Sequence, residues 1–145
     1  MFRFRFTTLL KVKKIRNDAA QQALANAQRI YNDLRDERDA CQTRIEGAGD
    51  ELLTLFQRAV TPTEILMFYN YQQYLLDRIK TLDKEIEQAA QEVEKKREQF
   101  LKARKEFKAI ERLREIHRER YHLEQEQLEM KAIDEMAVTR YARQQ

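Results

Sequence analysis

Two long stretches of the sequence place apolar side chains alternately three and four residues apart. The first has nine apolar positions out of ten, at Leu24, Ala27, Tyr31, Leu34, Cys41, Ile45, Ala48, Leu52 and Leu55, with Arg38 as the exception. The second also has nine out of ten, at Ile79, Leu82, Ile86, Ala89, Val93, Phe100, Ala103, Phe107 and Ile110, with Lys96 as the exception. This heptad spacing predicts two amphipathic helices that bury their apolar stripes against each other. Arg38 and Lys96 can lay their aliphatic stems along the seam while their charges reach water.

The chain has few residues that break helices, with two glycines and one proline among 145 residues. Charged residues make up 37% of the sequence and the net charge is only +3, so mixed charges cover most of the surface. Such a composition is typical of a long helix or a coiled coil. Gly47 and Gly49 are expected inside the first helix, because the heptad phase continues through Ala48 between them.

The segment Thr61-Pro62-Thr63-Glu64 predicts the start of the second helix. Threonine followed three residues later by glutamate is a capping box, and proline favours the first helical position. We therefore predict a single domain over residues 1–145, with helix one at about 8–58, a turn at about 59–62 and helix two at about 63–140. The predicted fold is all-α, an antiparallel coiled-coil hairpin whose longer second helix has a projecting C-terminal end.

Folding the chain near residue 60 pairs residues whose numbers add to about 120, such as Cys41 with Ile79. A shift by one heptad, with sums near 127, also fits the pattern, and the first register is preferred. Because the first arm is shorter, residues beyond about 113 are expected to lack an internal partner. This tail still carries apolar residues, namely Leu123, Leu128, Met130, Ile133, Met136 and Tyr141. Both a partner-binding surface and a disordered tail are compatible with the pattern.

The sequence predicts a protein without enzymatic activity, because two packed helices offer no concave pocket for catalysis. No cofactor, metal ion or small-molecule substrate is expected. Glu119 and His122 have the spacing of one half of a di-iron motif, but such a site needs a second motif and further glutamates. Cys41 occupies a core position of the heptad and is expected to be buried, and a lone cysteine excludes an internal disulfide.

Two aromatic segments lie outside the heptad seam. Phe2, Phe4 and Phe6 alternate with arginines in a basic N-terminal segment, for which a protein or membrane-surface contact is favoured over nucleic acid. The tract from Phe68 to Tyr74 covers several helix faces, so some of its tyrosines are expected to be exposed. They either bind a partner or stabilise the tip of the hairpin. The chain shows no secretory signal or transmembrane run, which predicts a cytoplasmic protein.

Several segments resemble the FliJ family of flagellar export proteins. They are the opening Met1-Phe2-Arg3-Phe4-Arg5-Phe6 with Leu9-Leu10-Lys11-Val12-Lys13, the alanine- and glutamine-rich first arm, the tract Tyr71-Gln72-Gln73-Tyr74 and the ending Lys131-Ala132-Ile133-Asp134-Glu135-Met136-Ala137. The resemblance covers nearly the whole chain in the same order. It implies a component of the flagellar type III protein export apparatus, similar to the central stalk subunit of rotary ATPases.

The resemblance also implies partners and sites. The partners are the hexameric flagellar export ATPase, the cytoplasmic domain of the membrane export gate and export chaperones, at the inner face of the cell membrane at the flagellar base. Tyr71, Tyr74 and Arg78 are expected to contact the gate, although some relatives carry an aliphatic residue where Arg78 stands. The expected contacts with the ATPase ring are Phe4, Arg5, Met130, Ile133 and Tyr141. The alternatives are the equivalent stalk protein of an injectisome and a generic coiled-coil scaffold.

Overall fold

The computed structural model describes residues 1–58 and 60–144, which form two long helices. Helix α1 spans Thr7–Phe56 and helix α2 spans Pro62–Gln144, and the described residues contain no strand. Side chains of α1 contact side chains of α2 in antiparallel order, because the partner on α2 has a lower number where the residue on α1 has a higher one, as in the pairs Lys13–Glu106 and Arg38–Asp83. The predicted all-α hairpin of two packed helices, with the second helix longer, is therefore confirmed.

The cap predicted at Thr61 starts α2. The backbone N–H of Glu64 donates to the carbonyl oxygen of Thr61 at 3.1 Å and faces its Oγ1 at 3.4 Å, while the N–H of Ile65 donates to the same carbonyl at 3.3 Å. These bonds satisfy donors that a helix leaves unpaired in its first turn. Pro62 is the first helical residue. The predicted turn at about 59–62 includes Ala59, which lies outside the described residues.

Gly47 and Gly49 lie inside α1, as the unbroken heptad phase predicted. Neither has a positive φ, and a Cβ added at either position would meet no other atom within 4 Å. Their cost to the helix is therefore the extra backbone entropy of glycine, with no steric role to offset it.

The chain divides into two compact units, of which one spans Ala20–Phe100. Its core contains Cys41, Leu75, Ile79 and Leu82, with Leu34 and Ile45 packed against them. The burial predicted for Cys41 is confirmed. The numbers of the pairs Glu37–Arg78 and Arg38–Asp83 add to 115 and 121, and Cys41 shares a core cluster with Ile79, so the contacts fit the register with sums near 120 better than the one near 127.

The other unit comprises Met1–Ala19 and Leu101–Gln145. Here α2 has an internal partner as far as Tyr121, so the prediction that pairing ends at about residue 113 was wrong. The reason is that residues before α1, namely Met1, Phe2 and Phe4, contact α2. The N-terminal amine donates to the hydroxyl of Tyr121 at 2.7 Å, and the ring centroids of Phe2 and Tyr121 are 5.6 Å apart. From His122 to Gln144 every side chain is exposed.

The prediction of a single domain over residues 1–145 stays a prediction. Gln145 lies outside the described residues.

Candidate partner-binding surfaces

The tyrosine surface, as we call the face formed by Met67, Tyr71, Tyr74 and Arg78, lies on α2 in the unit Ala20–Phe100. At 3.6 residues per turn these four positions fall within about 60° around the helix axis. Tyr71 is 45% exposed and Tyr74 is 63% exposed, so the exposure predicted for this tract is confirmed. Tyrosine combines a large apolar ring with a polar tip, which suits it to protein interfaces.

Arg78 belongs to this surface and also to the hairpin seam. Its Nε and Nη2 donate to Oε1 of Glu37 on α1 at 3.1 and 2.7 Å. The hydrogen bond to Glu37 raises the pKa of Arg78, and burial opposes this effect only in part. A permanently charged guanidinium therefore lies beside the two exposed tyrosines.

Tyr69 lies on the opposite face of α2 from Tyr74, because five residues turn the helix by about 140°. It is also exposed, together with other apolar side chains near the tip of the hairpin, namely Leu53, Phe56, Ile65 and Leu66. The aromatic tract thus presents tyrosines on two faces of α2. The face of Tyr71 and Tyr74 also carries Arg78, which contacts Glu37 on α1.

The tail stripe, as we call the second surface, consists of Leu123, Met130, Ile133, Ala137 and Tyr141 on α2. These positions fall within about 80° around the helix. Ile133, Ala137 and Tyr141 line one shallow groove together with Arg140. The tail is helical to Gln144 and its large apolar side chains are exposed, which favours a binding surface over the disordered tail that the sequence left open.

The N-terminal residues predicted to share a site with the tail lie elsewhere on α2. Phe4 is half-buried, with its ring centroid 5.6 Å from that of His117. His117 and Met130 are 13 residues apart, which corresponds to about 20 Å along the helix. Arg5 is exposed, with its guanidinium carbon 5.7 Å from the centroid of the Phe6 ring. The structure therefore does not bring Phe4 and Arg5 together with Met130, Ile133 and Tyr141.

The packing of the N-terminal segment is the feature that sequence reasoning missed. Burial alternates along residues 1–7, so that Phe2, Phe4 and Phe6 are half-buried while Arg3 and Arg5 are exposed. Residues 1–4 precede the turn at Arg5 and Phe6, and over these four residues such alternation is expected of an extended chain with one covered side. The alternation of phenylalanine and arginine at residues 2–6 is the sequence signal that could have predicted this packing.

A cross-helix ion pair lies in the same unit. Lys13 Nζ is 3.0 Å from Oε2 of Glu106, and the hydrogen bond from this ammonium group lowers the pKa of Glu106, with the charge of Lys13 adding to the effect. Both side chains are at least partly exposed. The ion pair therefore helps to align the two helices and contributes little to the free energy of unfolding.

Glu119 and His122 are both exposed, and residues 1–58 and 60–144 contain no group of three side chains placed to hold a metal ion. Within the same residues, neither helix includes a segment long and apolar enough to span a membrane.

The family model of the flagellar FliJ protein matches residues 2–145 of the chain. Comparison with curated proteins gives no significant match. Among solved structures, one described as that of a YscO homolog from Chlamydia trachomatis is similar with a TM-score of 0.56. The two are 20% identical, and the alignment covers 94% of this chain and 93% of the other. At 20% identity the similarity shows that the two chains share a fold.

Proposed function

Because the chain belongs to the flagellar FliJ protein family, whose members are components of the type III protein export apparatus, we propose that it is a non-catalytic stalk of that apparatus. The observation that carries the proposal is the family match over nearly the entire chain. The geometry supports it, since two exposed surfaces on α2 offer separate places for partners. The protein acts by binding along its helices and carries out no reaction of its own.

The first partner is the hexameric export ATPase, and the tail stripe is the surface that binds it. The last 23 described residues of α2 form a helix whose side chains are all exposed, about 35 Å long at 1.5 Å per residue. A single exposed helix is narrow enough to enter the centre of a ring, where its apolar side chains can be covered from several sides. Binding there promotes assembly of the ring and its hydrolysis of ATP.

The second partner is the cytoplasmic domain of the export gate, which binds the tyrosine surface. Tyr71 and Tyr74 supply apolar area at a small entropic cost. Arg78 supplies a positive charge beside them, which also donates to Glu37 on α1. Because this surface and the tail stripe belong to different compact units, the two partners bind different parts of the chain.

Export chaperones are further partners, and the protein acts in the cytoplasm, associated with the inner face of the membrane at the flagellar base through the gate. Neither nucleic acid nor a small-molecule substrate is part of this function. Phe2 and Phe4, which could have stacked on bases, are instead half-buried, with their rings next to Tyr121 and His117 of α2.

The test is an ATP hydrolysis assay with the purified export ATPase of the same organism, with and without the full chain. We expect the rate to rise with the concentration of the protein, and electron microscopy to show more hexameric rings. An unrelated coiled coil of similar length is the control for non-specific stabilisation. An unchanged rate and an unchanged number of rings would reject the proposal in favour of a scaffold.

A further inference from the structure

The tail stripe has an approximate internal symmetry about residue 135. Met130 and Ile133 lie on one side of this point, and Ala137 and Tyr141 lie on the other. Met130 is 65% exposed, Ile133 is 64% exposed and Tyr141 is 66% exposed. If a second copy of the helix runs in the opposite direction, Ile133 meets Ala137 of the copy, and Met130 meets Tyr141.

Charges beside the stripe follow the same symmetry with opposite signs. Glu129 and Arg140 lie on the same flank, since eleven residues return to nearly the same side of a helix after three turns. Their numbers add to 269, close to the sum of 270 for Ile133 and Ala137. Neither side chain forms an ion pair within residues 1–58 and 60–144.

We propose that two copies of this protein associate through their tail stripes as an antiparallel helix pair. In this arrangement the apolar contacts come from Met130, Ile133, Ala137 and Tyr141. Glu129 of each copy lies opposite Arg140 of the other, which gives two attractive contacts related by a two-fold axis. This is an isologous interface, because the same surface of both copies is used.

The charges of the tail favour the antiparallel pair over a parallel one. In a parallel pair in register, the acidic starts of the two tails lie at one level and their basic ends at another, so that like charges lie closer together than opposite ones. Only the antiparallel direction pairs the acidic start of the tail with its basic end.

The size of the interface sets the expected strength. With residue 135 at its centre the overlap runs from about residue 126 to residue 144, about 28 Å of helix, which buries an area at the lower end of specific interfaces, about 1,200 Å² in total. We therefore expect a reversible dimer with a dissociation constant on the order of micromolar.

One contact in the pair is unfavourable. Asp134 lies close to the symmetry point on the other flank, so the two copies of this carboxylate approach each other. Asp134→Asn removes this repulsion and is expected to tighten the dimer about twofold to fivefold.

The experiment is sedimentation of the full chain over a concentration series, without any other protein present. Glu129→Arg and Arg140→Glu each turn two attractive contacts into repulsive ones, and each is expected to raise the dissociation constant about tenfold. The double variant Glu129→Arg with Arg140→Glu has the net charge of the original chain and restores the attraction, so its constant returns to within about threefold of the original.

Two substitutions of apolar residues by aspartate test which face of α2 forms the dimer. Ile133→Asp is expected to abolish dimers, whereas Leu128→Asp, on the opposite face of α2, leaves them unchanged. Circular dichroism checks that both variants keep their helices. A monomer at all concentrations overturns the proposal, as does a double variant that stays as weak as the single ones. Since no ATPase is present, this outcome is separate from that of the proposed function.

Discussion

Arg78 on α2 donates two hydrogen bonds to a single carboxylate oxygen, Oε1 of Glu37 on α1, at 3.1 and 2.7 Å. The family resemblance assigned Arg78 to the export gate. Its guanidinium group, however, already donates hydrogen bonds to Glu37 within the hairpin. A gate partner that uses its charge must share it with Glu37 or displace Glu37.

This geometry predicts opposite effects for the two members of the pair. Arg78→Ala removes the positive charge of the tyrosine surface and should weaken gate binding about threefold to tenfold. Glu37→Gln releases Arg78 without removing it, so gate binding should be unchanged or up to about threefold tighter. Titration of the purified cytoplasmic gate domain with each variant measures both effects. Equal weakening by the two variants would show that Arg78 acts through the hairpin and does not touch the gate.

Tyr74→Ala should weaken gate binding about tenfold, because truncating an exposed aromatic side chain at the centre of an interface removes most of its contact area. The matched control is Tyr69→Ala, which removes an equally exposed ring from the opposite face of α2. Circular dichroism should show unchanged helicity for both variants, since neither ring belongs to the core. Equal loss of gate binding in the two variants would contradict a defined tyrosine surface.

The hairpin could be predicted from the sequence because burial along a helix seam depends on spacing alone. Cys41 and Ile79 fall on the two stripes, and the capping signal at Thr61 fixes where the second stripe begins. The same spacing carries no information about flanking pairs such as Arg78 with Glu37, since several charges lie within reach on each flank. The partner of α2 near Tyr121 was missed because the heptad analysis considered helices only, whereas Phe2 packs from an extended segment.

The pair of Lys13 and Glu106 predicts a dependence of stability on pH. The pKa of Glu106 is lowered in the folded chain by the hydrogen bond from Lys13, so the folded state binds the proton less tightly than the unfolded state does. Its stabilising effect is therefore present above about pH 4.3, the ordinary pKa of a glutamate, and is lost as the pH falls through the lower folded value.

Glu106→Gln should therefore lower the melting temperature slightly at pH 7 and have a smaller effect near pH 3. Thermal unfolding followed by circular dichroism at the two pH values measures the difference. Glu124→Gln, on an exposed part of α2, is the control, since its carboxylate has no ion pair within the described residues. A similar decrease in melting temperature at both pH values would show that the charge of Glu106 is not responsible.

Leu82 is fully buried between the helices and should be the most sensitive apolar residue of the hairpin. Leu82→Ala is expected to lower the free energy of unfolding by about 2–4 kcal/mol, from lost burial and from the cavity left behind. Leu101→Ala removes the same atoms from an exposed site and should cost less than about 1 kcal/mol. Urea unfolding followed by circular dichroism gives both values. Equal losses would contradict the register that places Leu82 in the core.

Deletion of residues 125–145 tests the tail stripe as the surface for the ATPase. The deletion removes Met130, Ile133 and Tyr141 but keeps the N-terminal segment and its contacts with Tyr121. Since the side chains of residues 125–144 are all exposed, their loss should leave the melting temperature of the hairpin within a few degrees of the original.

Stimulation of ATP hydrolysis should fall to less than about a tenth, because the deleted helix is the part proposed to enter the ring. Binding of the gate domain, which uses the tyrosine surface in the other unit, should be unchanged and serves as the internal control. Full stimulation by the shortened chain would show that the ATPase binds elsewhere, whereas loss of both activities would show that the deletion disturbs the fold.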